Sequence, residues 1–161
     1  MDTLQQIFLT LSIDRVDIYF FLLLITLVSI ALILHKRYAS MLFFITSIAI
    51  TSLAVHILKI TFMVERPANA LVHLNSFAFP SGHAASSSAI VVCLYLLYAK
   101  KKKSPFFQIG ISLAVILALL VGQSRISLHV HTLWQVIAGY GVGIIMPLVV
   151  QQFFKKATLS Q

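Results

Sequence analysis

The sequence predicts an all-α protein, a polytopic membrane bundle of about five transmembrane helices preceded by an N-terminal interfacial helix. Three observations lead there. Of the 161 residues, 60% are hydrophobic and only 10% charged, against about 45–50% and about 25% in soluble domains; a chain so poor in charge needs lipid as its solvent. The apolar residues gather into runs close to the roughly 20 residues that cross a bilayer as a helix. Most of the Lys and Arg sit in short tracts between those runs, the pattern that membrane topology imposes. The length suits a single domain over 1–161, with no internal repeat and no break in composition.

The segment 2–13 comes first. Leu4, Ile7, Phe8 and Leu11 recur at helical spacing, and Asp2 with Gln5 resembles a capping box, so it reads as an amphipathic helix lying in the interface. A signal peptide would need a basic n-region and an A-x-A-like cleavage site, and neither is seen. The spans are expected at about 18–34, 40–64, 80–99, 106–122 and 133–150. His35-Lys36-Arg37, the lysine run 100–103 and the pair 155–156 follow the first, third and fifth of them. With five spans these tracts share one side, which the positive charge marks as cytoplasmic. The N-terminus then lies outside and the C-terminus inside, in the cell (inner) membrane, and the segments 65–79 and 123–131 face the non-cytoplasmic side. Topology accounts for the net charge of +8 with the lipid bilayer as partner and no nucleic acid. The single cysteine, Cys93, falls in an apolar run and reads as a small buried hydrophobe. Gly139 and Gly143 form a G-x-x-x-G in the fifth span, which suits close packing within the bundle more than a dimer contact; the sequence leaves the oligomeric state open.

Charged and polar residues at the non-cytoplasmic ends of the spans carry the chemistry. Lys59 ends the second span and Arg66-Pro67 follow; Pro80-Ser81-Gly82-His83 opens the third; Ser124-Arg125 closes the fourth; His131 and Gln135 lead into the fifth. Ionisable groups at membrane depth are costly and are functional candidates by default. Three cations with one carboxylate nearby, Glu65, call for an anion. Phosphate fits: Arg offers a planar fork and Lys a point charge, Ser81 and Gly82 at a helix start offer backbone N–H groups, and Gly82 admits close approach of an oxyanion. Two histidines can divide covalent phosphoryl transfer into nucleophile and proton donor without a metal or other cofactor. His131 and Gln135 are one turn apart, so the Gln135 carbonyl can hold Nδ1–H of His131 and leave Nε2 free. His56, His73 and His129 read as structural.

These residues resemble the type 2 phosphatidic acid phosphatase superfamily, whose pattern is K-x6-R-P, then P-S-G-H, then S-R-x5-H-x3-D. Lys59, Arg66 and Pro67 match the first block, Pro80, Ser81, Gly82 and His83 the second, and Ser124, Arg125 and His131 the third. The resemblance covers residues 59–135. It implies that Lys59, Arg66 and Arg125 hold the phosphate with Ser81 and the Gly82 amide, that His83 protonates the leaving group, and that His131 is the nucleophile of a membrane lipid phosphatase. The final Asp of the pattern is Gln135 here. The string His131-Thr132-Leu133-Trp134-Gln135 is similar to the H-T-x-x-Q variant of dolichyl diphosphate phosphatases, which implies a polyprenyl diphosphate as one substrate beside a lipid phosphate. Two other readings stay open on the same residues: a lipid phosphotransferase, and an inactive protein that binds lipid headgroups.

Overall fold

The computed structural model describes residues 16–72, 74–98 and 104–154. The expected interfacial helix 2–13, His73 and the lysine tracts 100–103 and 155–156 lie outside the described residues. Five helices follow in order: α1 (Val16–Leu34), α2 (Tyr38–Phe62), α3 (Gly82–Tyr98), α4 (Pro105–Ser127) and α5 (Leu133–Phe153). No strand occurs among the described residues, as the all-α reading requires.

α2, α4 and α5 are long and apolar enough to cross a bilayer, whereas the apolar stretch Phe21–Leu34 of α1 and the whole of α3 are shorter. α3 has a physical reason to be short. It packs against α2, α4 and α5, and Ala84, Ala85, Ala89 and Cys93 are fully buried. Protein surrounds it instead of lipid, so small residues that permit close approach replace large apolar ones. By contrast, α4 exposes Ile109, Leu113, Leu117 and Leu120, as a lipid-facing helix should.

The fit of α5 to α3 depends on two glycines. A Cβ on Gly139 would run into the Ser81 carbonyl oxygen and stand 3.0 Å from Ala84 Cβ; one on Gly143 would strike the Ala85 carbonyl and the Ser88 hydroxyl. The G-x-x-x-G therefore serves contact within the chain. At one end of the bundle Leu32, Phe43, Phe44, Ile90, Cys93, Leu97 and Val150 form a dense apolar core. Arg37 closes that end: its Nη2 donates to the Leu97 carbonyl at 3.1 Å and its guanidinium lies 5.1 Å from the Tyr98 ring centre, a cation at a helix C-terminus. The opposite end is polar and holds the loops 63–81 and 128–132.

Two boundaries differ from the sequence expectation. α4 runs five residues past 122, to Ser127, because Arg125 turns inward and is 7% exposed; hydropathy ends a span at the first polar residues, but backbone hydrogen bonding does not. α3 begins at Gly82, so Pro80 and Ser81 precede it, after a cis Phe79–Pro80 peptide.

Candidate active site

The polar end is assembled by two loops that clasp each other. α2 stops where Met63 enters the left-handed region (φ 47°) and its N–H returns to the Lys59 carbonyl. Ala78 N–H then donates to Val64 O at 2.7 Å, closing loop 63–81 on itself, and Leu71 N–H donates to Leu128 O at 3.0 Å, joining it to loop 128–132. Val130 and His131 both donate their N–H to the Arg125 carbonyl, at 3.2 and 3.3 Å, so the end of α4 sets the height of His131.

The cations are held by neutral oxygens. Lys59 Nζ donates to the Phe77 carbonyl. Arg66 donates from Nε to Ser76 O at 2.9 Å, from Nη1 to Val130 O at 2.8 Å and from Nη2 to Ser76 Oγ at 3.1 Å. Arg125 Nε donates to Ser124 Oγ at 3.1 Å. Such bonds fix the geometry of a cation, and among the described residues the oxygens on Lys59 and Arg66 carry no charge to neutralise it. Burial, and then the charge of Arg125, hold the Arg66 pKa below its ordinary value; an anion between them would raise it again by its opposite charge.

His131 is 3% exposed. Its Nδ1 lies 3.2 Å from Gln135 Oε1, and the same oxygen accepts the Thr132 backbone N–H at 3.1 Å. A backbone amide can only donate, so it requires an oxygen at that corner of the Gln135 side chain. The ring nitrogen facing that oxygen must then carry the proton. Nε2 is left with its lone pair, and Arg66 Nη1 stands 3.3 Å from it. Burial first, and then the positive charge of Arg66, push the His131 pKa down to about 3, so the resting imidazole is neutral.

Lys59, Arg66, Gly82, His83 and His131 line one cleft of about 440 Å³. Ser81, Arg125 and Gln135 sit behind it, all buried. Ser81 corrects one sequence expectation: its amide is not available to an anion, because it donates to the Gln135 carbonyl at 3.0 Å. Of the two expected backbone donors only the Gly82 amide opens the first turn of α3, where N–H groups lack an intrahelical acceptor. The Ser81 hydroxyl, in contrast, is buried without a hydrogen-bond partner among the described residues. Gly82 has no positive φ, and a Cβ there would meet Val55 at an ordinary 3.7 Å. Neither conformation nor packing demands a glycine, which fits its lining the cleft. His56 is exposed. His129 takes a left-handed conformation (φ 55°) with Nδ1 buried and unpartnered among the described residues.

Three participants were missed by sequence reasoning. Ser76 supplies two acceptors to Arg66, the Thr132 amide fixes the Gln135 oxygen, and Phe21 of α1 places its ring centre 6.0 Å from that of His83. Only Thr132 had a signal, as the residue that caps α5 three positions before Gln135.

Residues 40–159 match the model of the PAP2 superfamily. Phosphatidylglycerophosphatase B of Bacillus subtilis (strain 168) is 33% identical over 93 residues, 53% of this chain and 43% of that protein; the match spans less than half the length of that relative. The crystal structure described as the first transmembrane PAP2 type phosphatidylglycerolphosphate phosphatase from Bacillus subtilis superposes with a TM-score of 0.78 at 27% identity, covering 97% of this chain and 79% of that one.

Proposed function

Because the chain belongs to the PAP2 superfamily, we propose that it is a membrane phosphatase that hydrolyses a lipid phosphate through a phosphohistidine intermediate on His131. The observation that carries this reading is the Gln135 oxygen, held by a backbone amide against Nδ1–H of His131, with Nε2 turned toward the cationic cleft. In the first step Nε2 bonds to phosphorus as the bond from phosphorus to the lipid oxygen breaks, and His83 gives that oxygen its proton. In the second, water attacks the phosphohistidine, His83 takes the water proton, and His131 regains its lone pair. Lys59, Arg66, Arg125, the Ser81 hydroxyl and the Gly82 amide receive the charge on the equatorial oxygens. These groups supply binding and proton transfer without a metal or other cofactor.

In this reading the reaction takes place on the non-cytoplasmic face. This is supported by Lys36 and Arg37, which stand at the far end of the bundle from the cleft. A polyprenyl diphosphate is a second substrate reading, favoured by His131-Thr132-Leu133-Trp134-Gln135. Phosphate release from a panel of lipid phosphates and diphosphates, with rapid-quench trapping of the phosphoenzyme, tests the proposal. Wild type should form an acid-labile, base-stable phosphoenzyme and His131→Ala should not; turnover by His131→Ala near the wild-type rate removes His131 as the nucleophile.

A further inference from the structure

The cleft does not end at the cations. It continues into the bundle between Ile48, Ser52 and Val55 of α2 and Ser86 of α3, with Phe21 and Ile25 of α1 opposite. Two hydroxyls interrupt this apolar stretch. α2 and α3 run antiparallel, and Val55 lies across from Gly82. One turn deeper on each helix come Ser52 and Ser86, so the register brings them to a common level, about 5 Å below Gly82.

Their neighbours behave differently. Ser47, Thr51, Ser87 and Ser88 each return the hydroxyl to a backbone carbonyl, at 2.7, 2.7, 3.1 and 2.8 Å. Ser52 and Ser86 make no such bond among the described residues. Ser52 is exposed and Ser86 half-buried, and both line the cleft, so a ligand there can reach two hydroxyls that are not committed to the backbone. The pair therefore has the character of a site awaiting a polar atom from a ligand.

We propose that Ser52 and Ser86 recognise the leaving group, by hydrogen bonding to an oxygen on the carbon next to the phosphorylated carbon of a glycerol unit. The inference rests on the phosphatase reading above. Phosphorus to ester oxygen, to carbon, to carbon, to the second oxygen is four bonds of roughly 1.5 Å, an extended span of about 5 Å, or one helical turn. A phosphate seated at Gly82 and His131 thus places that oxygen at the level of the two serines. In phosphatidic acid it is an ester oxygen; in phosphatidylglycerophosphate it is a free hydroxyl. A prenyl phosphate has only carbon there and would leave both serine hydroxyls unpaired. The cleft thereby separates glycerol-based lipids from prenyl lipids by one atom.

The experiment measures kcat/KM for phosphatidic acid, phosphatidylglycerophosphate and farnesyl phosphate, each in the same detergent, with wild type, Ser52→Ala, Ser86→Ala and Ser86→Thr. Loss of one hydrogen bond corresponds to roughly a tenfold change. Each alanine variant should lower the ratio of glycerol-lipid to farnesyl phosphate activity about tenfold, and Ser86→Thr should restore it. An effect on phosphatidylglycerophosphate alone assigns the pair to a free hydroxyl; an effect on both glycerol lipids assigns it to either oxygen. If both activities fall together, or the ratio stays within twofold, the serines do not read the leaving group. Wild type that releases phosphate from none of the three overturns the phosphatase reading itself, and this inference with it.

Discussion

Replacing Gln135 by alanine separates orientation of the nucleophile from its presence. The substitution removes one oxygen that accepts two bonds, from His131 Nδ1–H at 3.2 Å and from Thr132 N–H at 3.1 Å. The imidazole itself remains. In the ground state a neutral hydrogen bond is lost; as Nε2 bonds to phosphorus the ring becomes cationic, and the same bond becomes charge-assisted and about twice as strong. A buried donor left without an acceptor is destabilised by about 1–3 kcal/mol. Assigning that whole range to the transition state gives a loss in kcat of roughly 5- to 150-fold. A larger loss would resemble the amide substitution in Ser-His-Asp enzymes, where the histidine takes the wrong tautomer and about 10⁴-fold is lost. Gln135→Glu keeps an acceptor for both donors and should stay within about tenfold of wild type. The assay is single-turnover phosphoenzyme formation from labelled lipid phosphate, beside steady-state kcat and KM. A Gln135→Ala enzyme within twofold of wild type, or one whose whole defect lies in KM, refutes the claim that this oxygen aligns His131.

Other expectations follow from the same geometry. An unfolded imidazole binds a proton near pH 6.5, whereas folded His131 does so only at about 3. Its contribution to stability is present above 6.5 and is lost as pH falls toward 3, about 2 kcal/mol of it by pH 5. The thermal midpoint of wild type should therefore drop more between pH 7 and 5 than that of His131→Asn. Gly139→Ala should destabilise by about 1–3 kcal/mol through overpacking against Ser81, while Gly141→Ala, with nothing within 4 Å of the added Cβ, should not; denaturant titration of both variants decides. Activity should persist in EDTA and be inhibited by vanadate, which adopts the five-coordinate geometry of phosphoryl transfer; rescue of an EDTA-treated enzyme by one divalent ion would point to a metal mechanism. With Cys93 replaced, a cysteine at Asn69 should react with an impermeant thiol reagent from outside the cell and one at Lys36 should not; the opposite labelling inverts the orientation.

What the sequence determined by itself was the solvent, the five helices of the described residues and the order of the three motif blocks. Apolar composition and run length depend on residue type alone, so hydropathy located α1 to α5 within a few residues. The blocks carried their chemistry because cations and imidazoles at membrane depth have few other reasons to be there. The tertiary structure decided what depends on direction. Glutamine is nearly symmetric in shape, and only the Thr132 amide fixes which of its two ends meets His131. The Ser81 amide looked available to phosphate until α5 was seen to place the Gln135 carbonyl against it. Arg125 lies past the hydropathic end of its span, yet α4 continues and turns it inward. Ser52 and Ser86 are 34 positions apart in the numbering, and only the antiparallel register of α2 and α3 brings them to one level. In each case the missing information is a hydrogen-bond partner or a neighbour from a distant part of the chain, which no local pattern of residues encodes.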